Sequence, residues 1–324
     1  LKEFDLISNH FSKGGFQRKD VLIGIGDDAA VTRVPSGQCL VTTTDTMVEG
    51  VHFLAGTQPE AIAHKLVAVN LSDLSAMGAE PAWVSLSLSL PQIDPAWIKA
   101  FSEKLHSLSE YFSFQLIGGD TVQGPLSITL TAQGFIPEDN QITRAGAQAG
   151  DWIMVTGCLG DAGVGLDILK GLRQVENLEQ ASYLKNRHWY PTPRVLAGTT
   201  MRRIASSCID LSDGLVQDIQ HITAASQVGV LIHLDKLPIS EALGENVDNL
   251  LDAITYAATA GDDYELLFTV PEEQRVNIET ALSSYDIPVT CIGQVTGAVG
   301  KVDLRIDEKP FKFSASAKGF EHFS

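Results

Sequence analysis

Acidic residues in this chain recur where apolar, strand-like runs break off: Leu22-Ile23-Gly24-Ile25-Gly26-Asp27-Asp28, Leu40-Val41-Thr42-Thr43-Thr44-Asp45, Leu116-Ile117-Gly118-Gly119-Asp120-Thr121 and Cys208-Ile209-Asp210-Leu211-Ser212-Asp213-Gly214. Each reads as a strand running into a turn. Carboxylates flanked by Gly, Ser and Thr are oxygen ligands for hard cations, and their recurrence in distant segments predicts a fold that gathers them at one site. Such a site, with Asp28, Asp45, Asp73, Asp120, Asp210 and Asp213, would be strongly negative. Two like charges about 4 Å apart repel by roughly 4 kcal/mol at an effective dielectric near 20, so the cluster must recruit cations or protonate. Mg²⁺ takes a few carboxylates together with waters and substrate phosphates, which suits single Asp residues from many turns. No segment has the spacing of an EF-hand. The expectation is an enzyme that handles phosphates through Mg²⁺.

Charge narrows the partners. Against 23 basic residues stand 40 acidic ones, for a net charge of −17, which repels nucleic-acid backbones and anionic membranes. With 324 residues, 44% of them hydrophobic, two domains of ordinary size are expected. Cys39, Cys158, Cys208 and Cys291 show no C-x-x-C spacing and fall in apolar stretches, as buried reduced thiols would. The start, Leu1-Lys2-Glu3-Phe4-Asp5, lacks the apolar core of a signal peptide. The longest apolar candidate for a span, around Leu66 to Leu90, carries Asp73, Glu80 and Pro81. A cytoplasmic location is expected.

Periodicity gives the coarse order. Strands are expected at Leu22–Ile25 and Cys39–Thr44, then a long helix over Pro59–Ala79. Trp83–Leu90 alternates Val84, Leu86, Leu88 and Leu90 with Ser85, Ser87 and Ser89, the period of a half-buried antiparallel strand. An amphipathic helix over Pro95–Phe112, the strand into Gly118-Gly119-Asp120 and an alternating strand over Leu126–Phe135 follow. The polar, Gly-rich stretch Pro137–Gly150 marks the boundary between domains 1–137 and 138–324. Beyond it a strand over Trp152–Thr156 enters Gly157-Cys158-Leu159-Gly160-Asp161-Ala162-Gly163 and a helix to Leu172, a turn able to present backbone N–H groups to an anion or to serve as an ordinary connection. Helices at Arg194–Ala205, Val216–Ala225 and Glu272–Ser283, with strands at Val230–Leu234 and Glu265–Val270, make the second domain α+β.

Rival motifs fail on their own terms. Gly24-Ile25-Gly26-Asp27-Asp28-Ala29 fits G-x-G-x-x-A, but Pro35 arrives too soon for the required helix and two carboxylates would face a pyrophosphate. A Walker A loop is absent. Taken singly, an Asp in a turn is a solvated residue or helix cap, a lone His52 is a structural histidine, and Arg144 in a polar loop is solvated. Multiplicity, with Thr42-Thr43-Thr44 and Ser212 beside the acids, favours coordination.

The segments together resemble the bacterial thiamine-monophosphate kinases of the AIR synthase-like ATP-binding superfamily. The stretches that carry the resemblance run in order along the chain: Gly24–Ala29, Thr44–Phe53, Asn70–Ala79, Gly118–Thr121, Asp210–Leu215 and Gly261–Leu266. The resemblance implies a two-domain α+β fold, an N-terminal mixed sheet with helices and a C-terminal α/β sandwich, and a homodimer formed through the N-terminal sheets. It implies ATP and several Mg²⁺ ions between the domains, and conversion of ATP and thiamine monophosphate to ADP and thiamine diphosphate. By the same likeness Asp28, Thr43, Thr44, Asp45, Asp73, Asp120, Asp210 and Asp213 are expected to ligate metal. Gly119, Asp120, Arg144 and Ser212 are expected at the nucleotide, and His52, Asp262 and Phe320 at the thiamine substrate. Two departures stand out. Where the family often has Gly-Gly-Glu-Asp and Trp-Lys-Gly-Tyr, this chain has Ala260-Gly261-Asp262-Asp263 and Ala317-Lys318-Gly319-Phe320, an acid one methylene shorter and a ring without its hydroxyl. The acceptor, a phosphate monoester, is largely dianionic at neutral pH and needs no general base. Sister ATP enzymes of the superfamily and a non-catalytic metal-binding module are the alternatives.

Overall fold

Strand and helix boundaries follow from local chemistry in the computed structural model, which describes residues 10–12 and 14–313. The first part of the chain runs β1 (Val21–Ile23), β2 (Val31–Thr32), β3 (Gln38–Val48), α1 (Pro59–Ala76), β4 (Glu80–Leu90), α2 (Pro95–Phe112), β5 (Gln115–Gln123) and β6 (Ser127–Pro137). Helix α2 matches its sequence expectation at both ends. Asp94 accepts the N–H groups of Ala96 and Trp97, Pro95 occupies the first turn, and Ser113 stops the helix in the left-handed region at φ 59°. Its buried face is Ile98, Phe101, Leu105 and Leu108. Helix α1 is buried nearly all round, with Ile62, Leu66, Leu71 and Leu74 at 1% exposure or less. It ends at Ala76 instead of Ala79, because Gly78 turns the chain at φ 76°.

Four strands form one sheet in the order β3-β6-β4-β5. The serine alternation of β4 is real, yet its antiparallel reading holds on one side only. β4 pairs antiparallel with β6 and parallel with β5, because α2 intervenes as a crossover. The strand also begins earlier than the alternation suggests, since Pro81, Ala82, Trp83 and Val84 are all buried and break the period. Trp83 packs edge-on against Phe135, centroids 5.0 Å apart, in a small core with Ala82 and Ile117. Each such large side chain, once fully buried, contributes roughly 1.5–3 kcal/mol. After Ala29 the chain enters β2 with no helix, which disposes of the dinucleotide-binding alternative.

The second part runs β7 (Trp152–Thr156), α3 (Asp161–Leu169), α4 (Leu178–Trp189), α5 (Val195–Met201), β8 (Ser207–Asp210), α6 (Leu215–Ser226), β9 (Gly229–His233), α7 (Glu241–Glu245), α8 (Leu250–Thr259), β10 (Leu266–Val270), α9 (Arg275–Ser283), β11 (Val289–Thr296), β12 (Val302–Ile306) and β13 (Lys309–Phe311). Its seven strands lie in the order β13-β12-β9-β11-β7-β10-β8, with only β9 and β12 paired in parallel. Successive residues of β7 feed opposite faces. Ile153 and Val155 join Leu215, Ile219 and Ile254, while Met154 joins Met201, Ile278 and Leu282. Helices therefore cover both sides of the sheet. The helix after β7 stops at Leu169, short of Leu172, as the chain turns at Gly171 with φ 72°.

The described residues divide into two compact units. The first extends to Leu74 and takes up Ala79–Asp139; the second holds Ser75–Gly78 and everything from Asn140.

Candidate functional site

In the first unit the acids are less often at strand ends than the sequence implied. Asp45 lies inside β3 and Asp120 inside β5, because the β-branched residues after each carboxylate keep the strand going against a long partner. Asp73 sits on helix α1 and Asp28 in an exposed turn, where its N–H is held by Asp27 Oδ1 at 2.8 Å. The register across the sheet shows what meets. Asp45, Leu130, Leu86 and Gly119 lie opposite one another in one row, and Thr46, Thr129, Ser87 and Asp120 in the next.

Asp45 therefore shares the face of the apolar residues Leu130 and Leu86. Burial, then the charge of Asp73, pushes its carboxyl up to about 7. Thr43 donates its hydroxyl to Asp73 Oδ2, so Thr43, Asp45 and Asp73 form one group. Thr44 points to the other face, its hydroxyl 2.9 Å from that of Thr131, with Thr46 and Thr129 paired likewise at 2.8 Å. At the β5 edge, Asp28, Gly119 and Asp120 line a cavity of about 650 Å³. Gly119 must be glycine there, since a Cβ would come within 1.8 Å of the Leu86 carbonyl oxygen. Asp45 and Asp120 stand at opposite edges of the sheet, three interstrand steps or roughly 14 Å apart. Among the described residues no three His, Cys, Asp or Glu side chains are grouped closely enough to hold a metal.

His52 belongs to the turn after β3. Its Nδ1 accepts the Val48 N–H at 3.0 Å, which leaves the proton of a neutral ring on Nε2.

The second unit gathers a different set. Asp210 closes β8 and is buried, while Ser212 and Asp213 are partly exposed in the turn before α6. Asp218, on the first turns of α6, accepts the N–H groups of Asp213 and Gly214 at 3.1 Å each. Burial, then the charge of Asp213, pushes Asp218 up to about 7. Asp262 stands in a turn laced to this one: its N–H donates to the Ser212 carbonyl at 2.8 Å, and the Tyr264 N–H to the Leu211 carbonyl at 2.9 Å. Arg144 is exposed, in a loop pinned by Ser226, whose Oγ donates to the Arg144 carbonyl at 2.9 Å and accepts from the N–H groups of Gly146 and Ala147. Phe320 lies outside the described residues.

Sequence reasoning missed the charged core behind these turns. Glu265 has no exposed surface and receives Arg194 at 2.6 and 2.7 Å, Arg187 at 3.1 Å and Thr156 Oγ1 at 2.6 Å. Burial pushes its carboxyl up, but the bonds and charges of the two arginines outweigh it and hold the group below its ordinary value. Gly157–Gly163 admits two readings, an anion cradle or an ordinary connection, and its Gly160 N–H is taken up from within: both carboxylate oxygens of buried Asp263 accept it at 3.0 Å.

Comparison with known proteins agrees with this architecture. Residues 26–136 match the AIR synthase related protein N-terminal domain, and residues 148–305 the C-terminal domain. The chain is 47% identical over 322 residues to the thiamine-monophosphate kinase of Escherichia coli (strain K12), covering 99% of this chain and 98% of the relative. The crystal structure of thiamine-monophosphate kinase from Stenotrophomonas maltophilia K279a matches with a TM-score of 0.84 at 41% identity, over 91% of this chain and 93% of that one. A second structure, AaThiL complexed with AMPPCP and TMP, matches with a TM-score of 0.77 at 32% identity, over 92% of each chain. The two-domain α+β fold expected from the sequence is the one found, and the chain belongs to the thiamine-monophosphate kinase family, built on AIR synthase related N-terminal and C-terminal domains.

Proposed function

We propose that this protein phosphorylates thiamine monophosphate with ATP, giving thiamine diphosphate and ADP. The observation that carries the reading is the Asp45–Asp73 pair, two carboxylates brought together on a largely apolar face. Family membership supplies the reaction, and that pair supplies the reason for a divalent cation. Its hard oxygen donors, Asp45, Asp73 and the nearby Thr43, fit Mg²⁺, which completes its shell with waters and phosphates. Bound there, Mg²⁺ supplies neutralisation of the phosphate charge that otherwise repels donor from acceptor.

The chain's own residues do the rest by position. Asp28, Thr44, Asp120, Asp210 and Asp213 are the further ligands. Gly119, Asp120, Ser212 and Arg144 contact the nucleotide, and His52, Asp262 and Phe320 contact the thiamine moiety. The acceptor oxygen is already deprotonated at neutral pH, so no side chain is required to take a proton. Catalysis is then orientation and electrostatics.

The reading includes a homodimer. Its interface would be a second subunit's sheet packed on the exposed face of Thr44, Thr46 and Ser87. The four cysteines are free thiols, though only Cys208 is buried as expected, with Cys158 and Cys291 half-buried and Cys39 exposed; unpaired thiols support a cytoplasmic location. Among the described residues no helix is long and apolar enough to cross a membrane.

The test is chromatography of products from ATP and thiamine monophosphate with Mg²⁺ present or chelated. Thiamine diphosphate that depends on Mg²⁺ supports the reading. ADP without thiamine diphosphate would reassign the acceptor, and no ADP at all would leave a binding protein.

A further inference from the structure

We infer that helix α4 is a positioning element for substrate recognition, with His188 and Tyr264 aiming the carboxylate of Asp262; this presupposes the kinase activity proposed above. The Asp262 turn is unusual in its backbone. Asp262 and Tyr264, neither of them glycine, both adopt left-handed conformations, at φ 59° and 51°. Left-handed residues also close ordinary turns, Asp307 and Glu308 among them, and what sets the Asp262 turn apart is what surrounds it.

The surroundings here are specific. Besides the two backbone bonds to Leu211 and Ser212, the Leu211 N–H donates to the Glu265 carbonyl at 2.9 Å, and a Cβ on Gly261 would come within 2.5 Å of the Ser212 carbonyl oxygen. The two acids that follow Asp262 face inward and are consumed there, Asp263 by the Gly160 N–H and Glu265 by Arg187 and Arg194. Asp262 differs, because its side chain keeps 30% exposure while each oxygen has a neighbour on the buried side. Tyr264 Oη donates to Oδ1 at 3.1 Å, and His188 Nδ1, on a side chain only 4% exposed, lies 3.4 Å from Oδ2, within ion-pair reach.

Adjacent residues of α4 thus serve one turn: Arg187 fixes Glu265 and His188 faces Asp262. With 30% of its side chain exposed, Asp262 keeps carboxylate surface on the solvent side for a ligand. The thiamine moiety of thiamine monophosphate, with its cationic thiazolium ring and an amino donor, is the kind of group a fixed carboxylate selects. A carboxylate released from His188 and Tyr264 would turn among several orientations and bind the substrate less tightly, with no change in how phosphates are held.

Steady-state kinetics of the full chain test this, with thiamine monophosphate and ATP varied in turn in wild type, His188→Phe, His188→Asn and Tyr264→Phe, alongside thermal melts. His188→Phe and Tyr264→Phe should each raise KM for thiamine monophosphate about ten-fold, the scale of one bond to a charged group, while kcat and KM for ATP move less than about two-fold. His188→Asn, which keeps a polar group near the place of Nδ1, should recover most of the loss. Folded His188→Phe and Tyr264→Phe enzymes with wild-type KM for thiamine monophosphate would overturn the inference. A fall in kcat that tracks a lowered melting point, with KM unmoved, would do so too, by making the role structural. If His188→Phe does not fold, Tyr264→Phe, which removes one oxygen, decides alone. Failure of the kinase reading looks different, since wild type itself would then yield no thiamine diphosphate.

Discussion

Two carboxylate groups taken out of water have opposite fates in the two units. Glu265 is wholly buried, yet Arg194 and Arg187 hold it below its ordinary value. Asp45 is only partly buried, and the influences on it, burial first and the charge of Asp73 second, both push it up, to about 7. The Glu265 cluster neutralises its acid with its own guanidiniums; the Asp45 cluster places a second acid beside it, as Asp213 does beside Asp218 in the second unit. A buried charge that the protein itself balances is architecture, whereas one made worse by its neighbour asks for a cation from outside. A carboxylate therefore reads as scaffold at Glu265 and as ligand at Asp45, and the difference lies in the neighbours.

The largest effect should come from breaking the balanced cluster. Glu265→Gln leaves Arg187 and Arg194, with side chains 14% and 16% exposed, facing an amide. Removing one partner of such a buried group costs about 3–5 kcal/mol, to be read as a lower denaturant midpoint at neutral pH. A loss below about 1 kcal/mol, the scale of an exposed pair, would erase the contrast between the regions. Asp45→Asn should act the other way round. Turnover should fall on the order of a hundred- to a thousand-fold, as when one preorganised electrostatic contact is removed, while the melting point of the metal-free protein stays level or rises because a like-charge repulsion is gone. Wild-type turnover at saturating Mg²⁺ would take Asp45 out of the site.

How much of this was legible beforehand depends on where the information lies. Helix α2 and strand β7 match their sequence expectations residue for residue, because their signals are local: a capping Asp94 with Pro95, and an apolar run bounded by turns. Strands β12 and β13 left no such signal. Their hairpin turns on Asp307 and Glu308, at φ 48° and 62°, in place of a glycine pair. Strand β11 hides its period in an irregularity between Cys291 and Gly293. The polar helix α4 buries little beyond Ala181, Leu184 and His188. The acids of the site could be picked out by recurrence, but not their grouping. That Asp45 meets Asp73 while Asp120 lies at the far edge depends on the strand order β3-β6-β4-β5, which no local pattern carries. Arg187 and Arg194 lie more than 70 residues from Glu265 in sequence, and each alone reads as a solvated charge.

Metal binding sharpens the comparison at intermediate scale. Mg²⁺ at a hundred times its Kd should stabilise the wild-type native state by about 2.7 kcal/mol, seen as a rise in melting temperature that a chelator reverses. Glu265→Gln should keep that rise from its lower starting point, whereas Asp45→Asn and Asp73→Asn should flatten it. An undiminished rise in both Asp variants would move the ion to other ligands.

The smallest effect is a pair of pH slopes of opposite sign. Glu265 has a native value below its ordinary 4.5, so the unfolded chain binds its proton more readily. Its contribution to stability is complete above 4.5 and is lost as pH falls through the native value. Asp45 is raised from 3.8 to about 7, so the native state binds the proton more readily, and its carboxyl costs stability increasingly as pH rises through that interval and no further above it. In chelator, the unfolding free energy of wild type minus that of Asp45→Asn should therefore decline between 3.8 and about 7, and that of wild type minus Glu265→Gln should decline on acidification below 4.5. Adding Mg²⁺ should abolish the first slope, since the ion displaces the proton it replaces, and leave the second untouched. A flat difference for Asp45→Asn across the interval would mean that its carboxylate is already compensated within the protein, and the two regions would then obey one rule.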